Sequence, residues 1–128
     1  WNAIRFNGGA RPYRTQILGN VGSFIGRDAI ELDSGSFMTR IQGGAMSNYG
    51  TDAVTGRAGV NLNGTHDRLT VSHMDLDPVT ATARAIGMGG TAALGDSHLT
   101  YINSTYGTLI DGSYTDNGGN DVTSGNRL

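Results

Sequence analysis

Short apolar segments recur along the whole chain and are separated by clusters of Gly, Asn, Asp and Ser. Segments of this length are too short for an amphipathic helix and are typical of strands. The best helical candidate, residues 79–86, is rich in β-branched Thr and runs directly into Gly87, Gly89 and Gly90. The pattern therefore predicts an all-β protein, whose apolar segments are residues 17–18, 24–25, 30–32, 37–41, 60–62, 69–71, 99–102 and 109–110.

The chain is similar to itself at a regular spacing. Residues 28–39 align with residues 58–70 and, more loosely, with residues 90–100. Each copy contains a Leu, then a turn-forming residue, and then an apolar residue that is followed by Thr. The two series have nearly equal steps along the chain, and their members are Leu32, Leu62 and Leu94, and Thr39, Thr70 and Thr100. A repeat of this length indicates stacked units that bury their apolar faces on one another.

Stacked units predict parallel ladders in which like residues lie on one another. The expected ladders are Ile30 on Val60, Leu32 on Leu62, and a column of Thr39, Thr70 and Thr100. The predicted fold is a right-handed parallel β-helix of about four short coils. An antiparallel β-sandwich or jelly roll stays open as the alternative, because Asn-Gly pairs such as Asn63-Gly64 are also typical of hairpin turns.

Length and cysteine content bound the size and chemistry of the protein. The 128 residues are enough for a single domain, 1–128, in which residues 113–128 form a candidate loose C-terminal tail. Because the sequence begins without Met, we expect a processed product or a fragment of a longer chain. The absence of Cys excludes disulfides, zinc–cysteine sites and thiol catalysis.

The charge is small and dispersed along the chain. The sequence has 9 basic and 11 acidic residues, a formal net charge of −2, and no basic run. Electrostatic binding of nucleic acid or of an anionic membrane is therefore not expected. Membrane insertion is not expected either, because no apolar run approaches the roughly 18 residues that a membrane-spanning helix needs.

Part of the chain resembles a known architecture. Residues 58–77, AGVNLNGTHDRLTVSHMDLD, look like one coil of the pectate-lyase-like β-helices of polysaccharide lyases and bacteriophage tailspikes, and residues 96–112 look like another. The resemblance covers residues 27–112 and is one of repeat style, without a diagnostic catalytic motif. It implies an extracellular or virion-surface location, a polysaccharide or cell-surface glycan as ligand, and a homo-oligomer that is a trimer or larger.

Carboxylates are the first candidates for chemistry, because cleavage of a glycosidic bond needs a paired acid and base. Alternate side chains of an extended segment share a face, and the densest such group contains Asp75 and Asp77, the candidate catalytic residues. We expect His73 on their face, with Met74 and Leu76 on the other. The candidate ligand-binding residues supply a cation, rings and an amide, and they are Arg40, His73, Tyr101 and Asn103.

The segment 111–121 is rich in oxygen ligands and contains Asp111, Asp116 and Asp121. Calcium prefers carboxylate and carbonyl oxygens, so these three residues are the candidate metal ligands and calcium is the candidate ion. No other cofactor is expected. A transition-metal site is not expected, because the three histidines are assigned to different coils and lack the short spacing of zinc ligands.

Three functions are compatible with these features. The first is an extracellular or virion-surface β-helix module that binds polysaccharide with no catalysis or only weak catalysis, as in a tailspike or an adhesin. The second is a structural coat or filament subunit that self-assembles through its strand edges and has no ligand. The third is a polysaccharide lyase or glycoside hydrolase that uses Asp75 and Asp77. Binding is the leading hypothesis, because four short coils offer only a short groove to a polymer.

Overall fold

The computed structural model describes residues 2–6, 9, 11–52, 57–79, 84–104 and 110–122. Every regular element among these residues is a β-strand, as the short apolar segments predict. The strands are β1 (Ile4–Phe6), β2 (Gln16–Ile25), β3 (Ile30–Leu32), β4 (Ser36–Phe37), β5 (Arg40–Tyr49), β6 (Ala58–Leu62), β7 (Thr65–Asp67), β8 (Thr70–Pro78), β9 (Arg84–Met88), β10 (Ala93–Gly95), β11 (His98–Asn103), β12 (Ile110–Asp111), β13 (Thr115–Asp116) and β14 (Asp121–Val122).

The strands form three parallel sheets around one core. Sheet A contains β1, β3, β6, β9 and β12, sheet B contains β4, β7, β10 and β13, and sheet C contains β2, β5, β8, β11 and β14. The chain passes through the sheets in the order A, B, C, so neighbouring strands of a sheet come from successive coils. The protein is a parallel β-helix, and the antiparallel sandwich is excluded for the described strands. The right-handed sense stays a prediction.

We number the coils 1 to 5 by their strand in sheet A. Coils 2 to 5 each have a strand in all three sheets, although the strands of coil 5 are only two residues long, whereas coil 1 has strands in sheets A and C alone; the sequence predicts about four coils. β13 and β14 of coil 5 lie within the segment 113–128, which the sequence analysis treats as a candidate tail. None of the described residues belongs to a helix that could cross a membrane.

The core consists of apolar ladders that point inward from the sheets. In sheet A, Ile30 pairs with Val60 and Leu32 pairs with Leu62, as predicted, and these four side chains are fully buried. Full burial of a Val, Leu or Ile side chain stabilises the fold by about 1.5–3 kcal/mol. These ladders therefore stabilise the packing of coil 2 on coil 3.

The predicted place of Leu94 in this ladder is wrong. Leu62 is followed in sheet A by Met88, while Leu94 lies in sheet B, where it pairs with His66. The step along the chain from Leu62 to Met88 is shorter than the step from Leu32 to Leu62. Because connections outside the sheets change length at little cost, a constant period does not predict register.

The predicted threonine column is also wrong. Thr70 pairs with Arg40 on one side and with His98 on the other, so Thr39 and Thr100 lie outside its ladder. The steps in sheet C are again unequal, since the chain is longer from Arg40 to Thr70 than from Thr70 to His98. Thr39 is buried, and its hydroxyl donates to the carbonyl oxygen of Pro12 at 3.3 Å.

A single left-handed residue turns the chain from sheet B into sheet C in coils 1 to 4, and in coil 5 two glycines, Gly118 and Gly119, have positive φ. We call this column the corner ladder, and its members are Arg14 (φ 50°), Met38 (50°), Arg68 (54°), Asp96 (46°) and Gly118 (92°). The backbone N–H of each of the first four donates to a carbonyl oxygen of the next coil at 2.8 to 2.9 Å. One residue with positive φ changes the direction of an extended chain sharply. The chain can therefore pass from sheet B into sheet C without a loop.

Candidate functional site

The strands of sheet C bend midway along their length. Gly19, Gly43, His73 and Tyr101 occupy the bend in coils 1 to 4, with φ values of 61°, 64°, 55° and 54°. They are in register, because the residues that flank them pair across the sheet on both sides. We call this column the bend ladder.

Coils 3 and 4 carry large side chains where coils 1 and 2 carry Gly. A non-glycine residue in the left-handed region costs roughly 1–2 kcal/mol, and Gly avoids this cost because it has no Cβ. The bend does not require the side chains of His73 and Tyr101, since Gly19 and Gly43 adopt the same backbone conformation without a side chain. Backbone strain of this kind is concentrated at functional sites, so the bend of coils 3 and 4 is the first candidate.

The two rings of the bend ladder stack on the protein surface. The ring centroids of His73 and Tyr101 are 4.9 Å apart, with an angle of 22° between their planes. Both side chains are exposed, and 53% of the Tyr101 surface is accessible. Stacking of this type contributes about 0.5–1.5 kcal/mol. The stack holds the two rings side by side in a fixed position. This contact was not predicted from the sequence.

Polar groups follow the rings along the same face of sheet C. Asn103 Nδ2 donates to Asp75 Oδ1 at 3.3 Å, which joins coils 4 and 3. Asp75 is exposed and Asp77 is half-buried, whereas Met74 and Leu76 between them point into the core at 2% and 0% exposure. The predicted alternation of this segment is therefore confirmed.

The structure thus brings together the predicted residues of coils 3 and 4, and we call this surface the ring face. Its members are His73, Asp75, Asp77, Tyr101 and Asn103. The positions in register with Asp75 in coils 1 and 2 are Val21 and Ala45, and those in register with Asp77 are Ser23 and Ser47. On this part of sheet C, the carboxylates and the exposed rings are therefore found in coils 3 and 4.

Arg40 lies away from the ring face. It is exposed at the start of β5, three residues before Gly43 of the bend ladder and two residues after Met38 of the corner ladder. Because a strand rises about 3.3 Å per residue, its Cα is about 10 Å along the strand from the bend. Arg40 is thus closer to the corner of sheets B and C than to the rings.

The candidate calcium ligands lie in coil 5. The side chain of Asp111 lies outside the described part of the chain. Asp116 Oδ1 accepts hydrogen bonds from Gly118 N at 2.8 Å and Asn120 Nδ2 at 2.6 Å, and Asp121 is exposed in β14. Among the residues that the structure describes, no group of three or more His, Asp or Glu side chains could hold a metal ion. The calcium site stays a prediction.

One histidine lies inside the core, which the sequence analysis missed. His66 is fully buried in coil 3, and its Nδ1 is hydrogen-bonded to Ser36 Oγ at 3.0 Å. Its Nε2 has no hydrogen-bond partner of good geometry in the described residues. Burial lowers the pKa of His66 to about 4, against a smaller opposite effect of the Asn63 backbone. The prediction that the histidines lie on different coils is wrong for His66 and His73, which share coil 3 but belong to different sheets.

The position of His66 could have been inferred from the alternation of β7. Thr65 is exposed and Asp67 is half-buried, which leaves His66 pointing inward between Ser36 and Leu94. Because it is buried, this imidazole is a structural group and cannot contact a ligand at the surface.

The sequence and the fold were also compared with known proteins. No family model, no curated protein and no solved structure matches the chain. The parallel β-helix is therefore established by the strand topology alone, and the pectate-lyase or tailspike type rests on the resemblance of its repeats.

Proposed function

We propose that this chain is a polysaccharide-binding β-helix module of an extracellular or virion-surface protein, such as a tailspike or an adhesin, and that the ring face contacts the glycan. The observation that supports this most strongly is the exposed stack of His73 and Tyr101 on strained backbone. The fold makes the same bend with Gly in coils 1 and 2, so folding does not explain why rings occupy the bend in coils 3 and 4. Binding of a ligand would explain it.

The ring face has the two kinds of group that carbohydrate recognition needs. The rings of His73 and Tyr101 offer apolar surface for the C–H face of a sugar ring. Asp75, Asp77 and Asn103 offer oxygen acceptors and an amide donor for sugar hydroxyls. Because the charged groups of this face are carboxylates, it favours neutral sugars over acidic ones. Neighbouring coils are about 4.8 Å apart, so these groups form a rigid two-coil platform.

The test is a polysaccharide array with neutral polymers such as dextran, mannan and galactan, followed by calorimetry with the polymer that is retained. We expect Tyr101→Ala and His73→Ala each to weaken binding about ten-fold, since ten-fold corresponds to about 1.4 kcal/mol and a stacked ring contributes a similar amount. The matched control is Val21→Ser, which changes an exposed residue of the same sheet in coil 1. Retention of no polymer, or an equal loss in the control, would reject the proposal.

Glycoside hydrolysis by Asp75 and Asp77 is a second candidate function. The two residues are next neighbours on one strand face, which sets their Cα atoms about 6.6 Å apart. Inverting glycosidases use carboxyl groups about 6.5–9.5 Å apart, so that a water molecule fits between base and sugar, and side chains on two such Cα atoms can reach this separation. The double variant Asp75→Asn/Asp77→Asn should then lower the release of reducing ends at least 100-fold. Asp33→Asn is the control, and equal rates in all three proteins would exclude hydrolysis by this pair.

A further inference from the structure

A second surface lies on the outside of sheet B and is divided into two unlike halves. One column of outward positions runs from Tyr13 through Phe37, Asp67 and Gly95 to Asn117, one residue per coil. The corner ladder runs beside it, because each of its members follows a member of this column in the chain. We call the two columns together the B face.

The half of the B face in coils 1 to 3 is aromatic and cationic. Tyr13 and Phe37 stack with their centroids 5.4 Å apart and 11° between their planes. The guanidinium carbon of Arg14 is 5.3 Å from the Tyr13 centroid, and that of Arg68 is 5.8 Å from the Phe37 centroid. Arg11 lies beside them, and Tyr13 is 60% exposed. The arginines are dispersed in the sequence, and only the register of the coils gathers them.

The half of the B face in coils 3 to 5 is recessed and acidic. An open groove of about 550 Å³ runs along it. Gly95, Gly118 and Gly119 line the groove without side chains, and the carboxylates of Asp67 and Asp96 border it. Because three of its lining residues have no side chain and its charged residues are acidic, the groove suits an aromatic ring or a guanidinium group in size and charge.

Within the part of the chain that the structure describes, the charged side chains of the B face form no ion pairs. Among the described residues, none of Arg14, Arg68, Asp67 and Asp96 forms an ion pair; the ion pairs found elsewhere include Arg5 with Glu31 and Asp33, and Arg57 with Asp28 and Asp52. In coil 3, Asp67 and Arg68 are adjacent, so both signs of charge meet at the middle of the face. A surface of this kind is complementary to a second copy of itself that has been rotated by half a turn.

We propose that two copies of this chain pack against each other through the B face, antiparallel, around a two-fold axis at coil 3. This arrangement sets coil 1 against coil 5 and coil 2 against coil 4 of the second copy. Phe37 then lies opposite Gly95, and Tyr13 lies opposite Asn117, next to the Gly118–Gly119 turn. At the axis each residue lies opposite its own counterpart, and Arg68 of each copy lies one strand position away from Asp67 of the other, so that two equivalent Arg68–Asp67 contacts form across the axis.

The residue types of this face suit an interface. Tyr and Arg are enriched among the residues that dominate binding energy between proteins, and complementary charge sets the orientation of the partners. The face is small, because four steps between coils span only about 19 Å. Small interfaces are weak, so the dimer should form at micromolar to submillimolar concentration and should weaken with salt.

The experiment is sedimentation equilibrium of the full chain from 5 to 500 µM, at low and at high salt. Two charge-reversed variants are compared with it, Arg14→Asp/Arg68→Asp and Asp67→Arg/Asp96→Arg. Both Asp and Arg already occur in the corner ladder, so these substitutions at Arg14, Arg68 and Asp96 retain side chains that the corner accepts. Circular dichroism and thermal melting check that each variant is folded.

We expect the unmodified chain to dimerise at least ten-fold more weakly in 0.5 M salt than in 0.05 M salt. Each variant alone should be monomeric, because like charges then face each other, whereas an equimolar mixture should form a heterodimer in which both contacts are attractive. A monomer at 500 µM, a trimer, or folded variants whose mixture stays monomeric would overturn the proposal. Salt-sensitive retention of monomers on dextran sulfate through the same arginines would identify a polyanion instead and also overturn it.

This proposal is independent of glycan binding, because the ring face lies on sheet C. The variant His73→Ala/Tyr101→Ala should dimerise like the unmodified chain, and the charge-reversed variants should retain the affinity of the ring face for a neutral polysaccharide. Loss of dimerisation in the ring-face variant would contradict the assignment of the interface to sheet B.

Discussion

The bend in sheet C has one backbone conformation in four coils but two kinds of side chain. Coils 1 and 2 use Gly19 and Gly43, and coils 3 and 4 use His73 and Tyr101, at nearly equal φ. The glycines make the bend without strain, whereas each of the other two residues costs roughly 1–2 kcal/mol. Stacking of the two rings returns only about 0.5–1.5 kcal/mol. The comparison separates what the fold requires, a bend, from what it does not, a pair of exposed rings.

The largest expected effect concerns the glycines of coil 2. A Cβ at Gly44 (φ 131°) would overlap the carbonyl oxygen of Asn20, so Gly44→Ala should destabilise the protein by about 3 kcal/mol or more. A Cβ at Gly43 would meet only Gly19 N, at 3.9 Å, and so Gly43→Ala should cost about 1 kcal/mol through backbone strain alone. Urea unfolding of both variants measures the difference. Equal losses would mean that the backbone angle φ, and not the space around the added Cβ, sets the cost of these substitutions.

The second effect concerns His66, the buried histidine of coil 3. Burial lowers the pKa of His66 to about 4 from the ordinary 6.5, so the folded state excludes a proton that the unfolded state binds. The stability that this group confers is fully present above pH 6.5 and is lost as the pH falls to about 4. Because one pKa unit is worth about 1.4 kcal/mol, the loss should be about 3 kcal/mol.

The measurement is the free energy of unfolding in urea at pH 7.5 and at pH 4, with the double variant His66→Leu/Ser36→Ala as the control. Leu94 occupies the next inward position of the same ladder, so Leu is compatible with this column, and Ser36→Ala avoids an unpaired hydroxyl. Between pH 7.5 and pH 4, the free energy of unfolding of the control should fall by about 3 kcal/mol less than that of the unmodified chain. An equal loss in both proteins would show that the surface carboxylates, and not His66, are responsible.

The smallest effect concerns the ring positions themselves. At an ordinary strand position Gly is less stable than Ala by about 0.5–1 kcal/mol. At position 73 we expect the opposite order, with His73→Gly more stable than His73→Ala by about 1 kcal/mol. Both variants lose the stack with Tyr101, but only Gly relieves the strain of a φ of 55°. Thermal melting of His73→Gly and His73→Ala checks the sign, with both variants weakened in polysaccharide binding. A more stable Ala variant would contradict the argument that these rings are retained at a cost.

Local alternation was the most reliable guide to the candidate site. It predicted the shared face of His73, Asp75 and Asp77, because alternate residues of any extended segment point to the same side. It did not predict that His73 would stack on Tyr101, which depends on the register of coil 4 against coil 3. Arg40 shows the same limit, since its type suits a ligand but its place in the coil lies nearer to the corner.

The sequence by itself determined the fold class and the first interior ladders. Short apolar segments between turn formers specified strands, and the repeat between residues 28–39 and 58–70 specified parallel stacking, because like residues bury their apolar surface best on one another. The tertiary structure alone decided which side chains meet across coils: the buried His66, the exposed stack of His73 and Tyr101, and the cluster of arginines around Tyr13 and Phe37. The reason is that the steps between coils are unequal, and the connections that set them lie outside the core, where burial does not constrain their length.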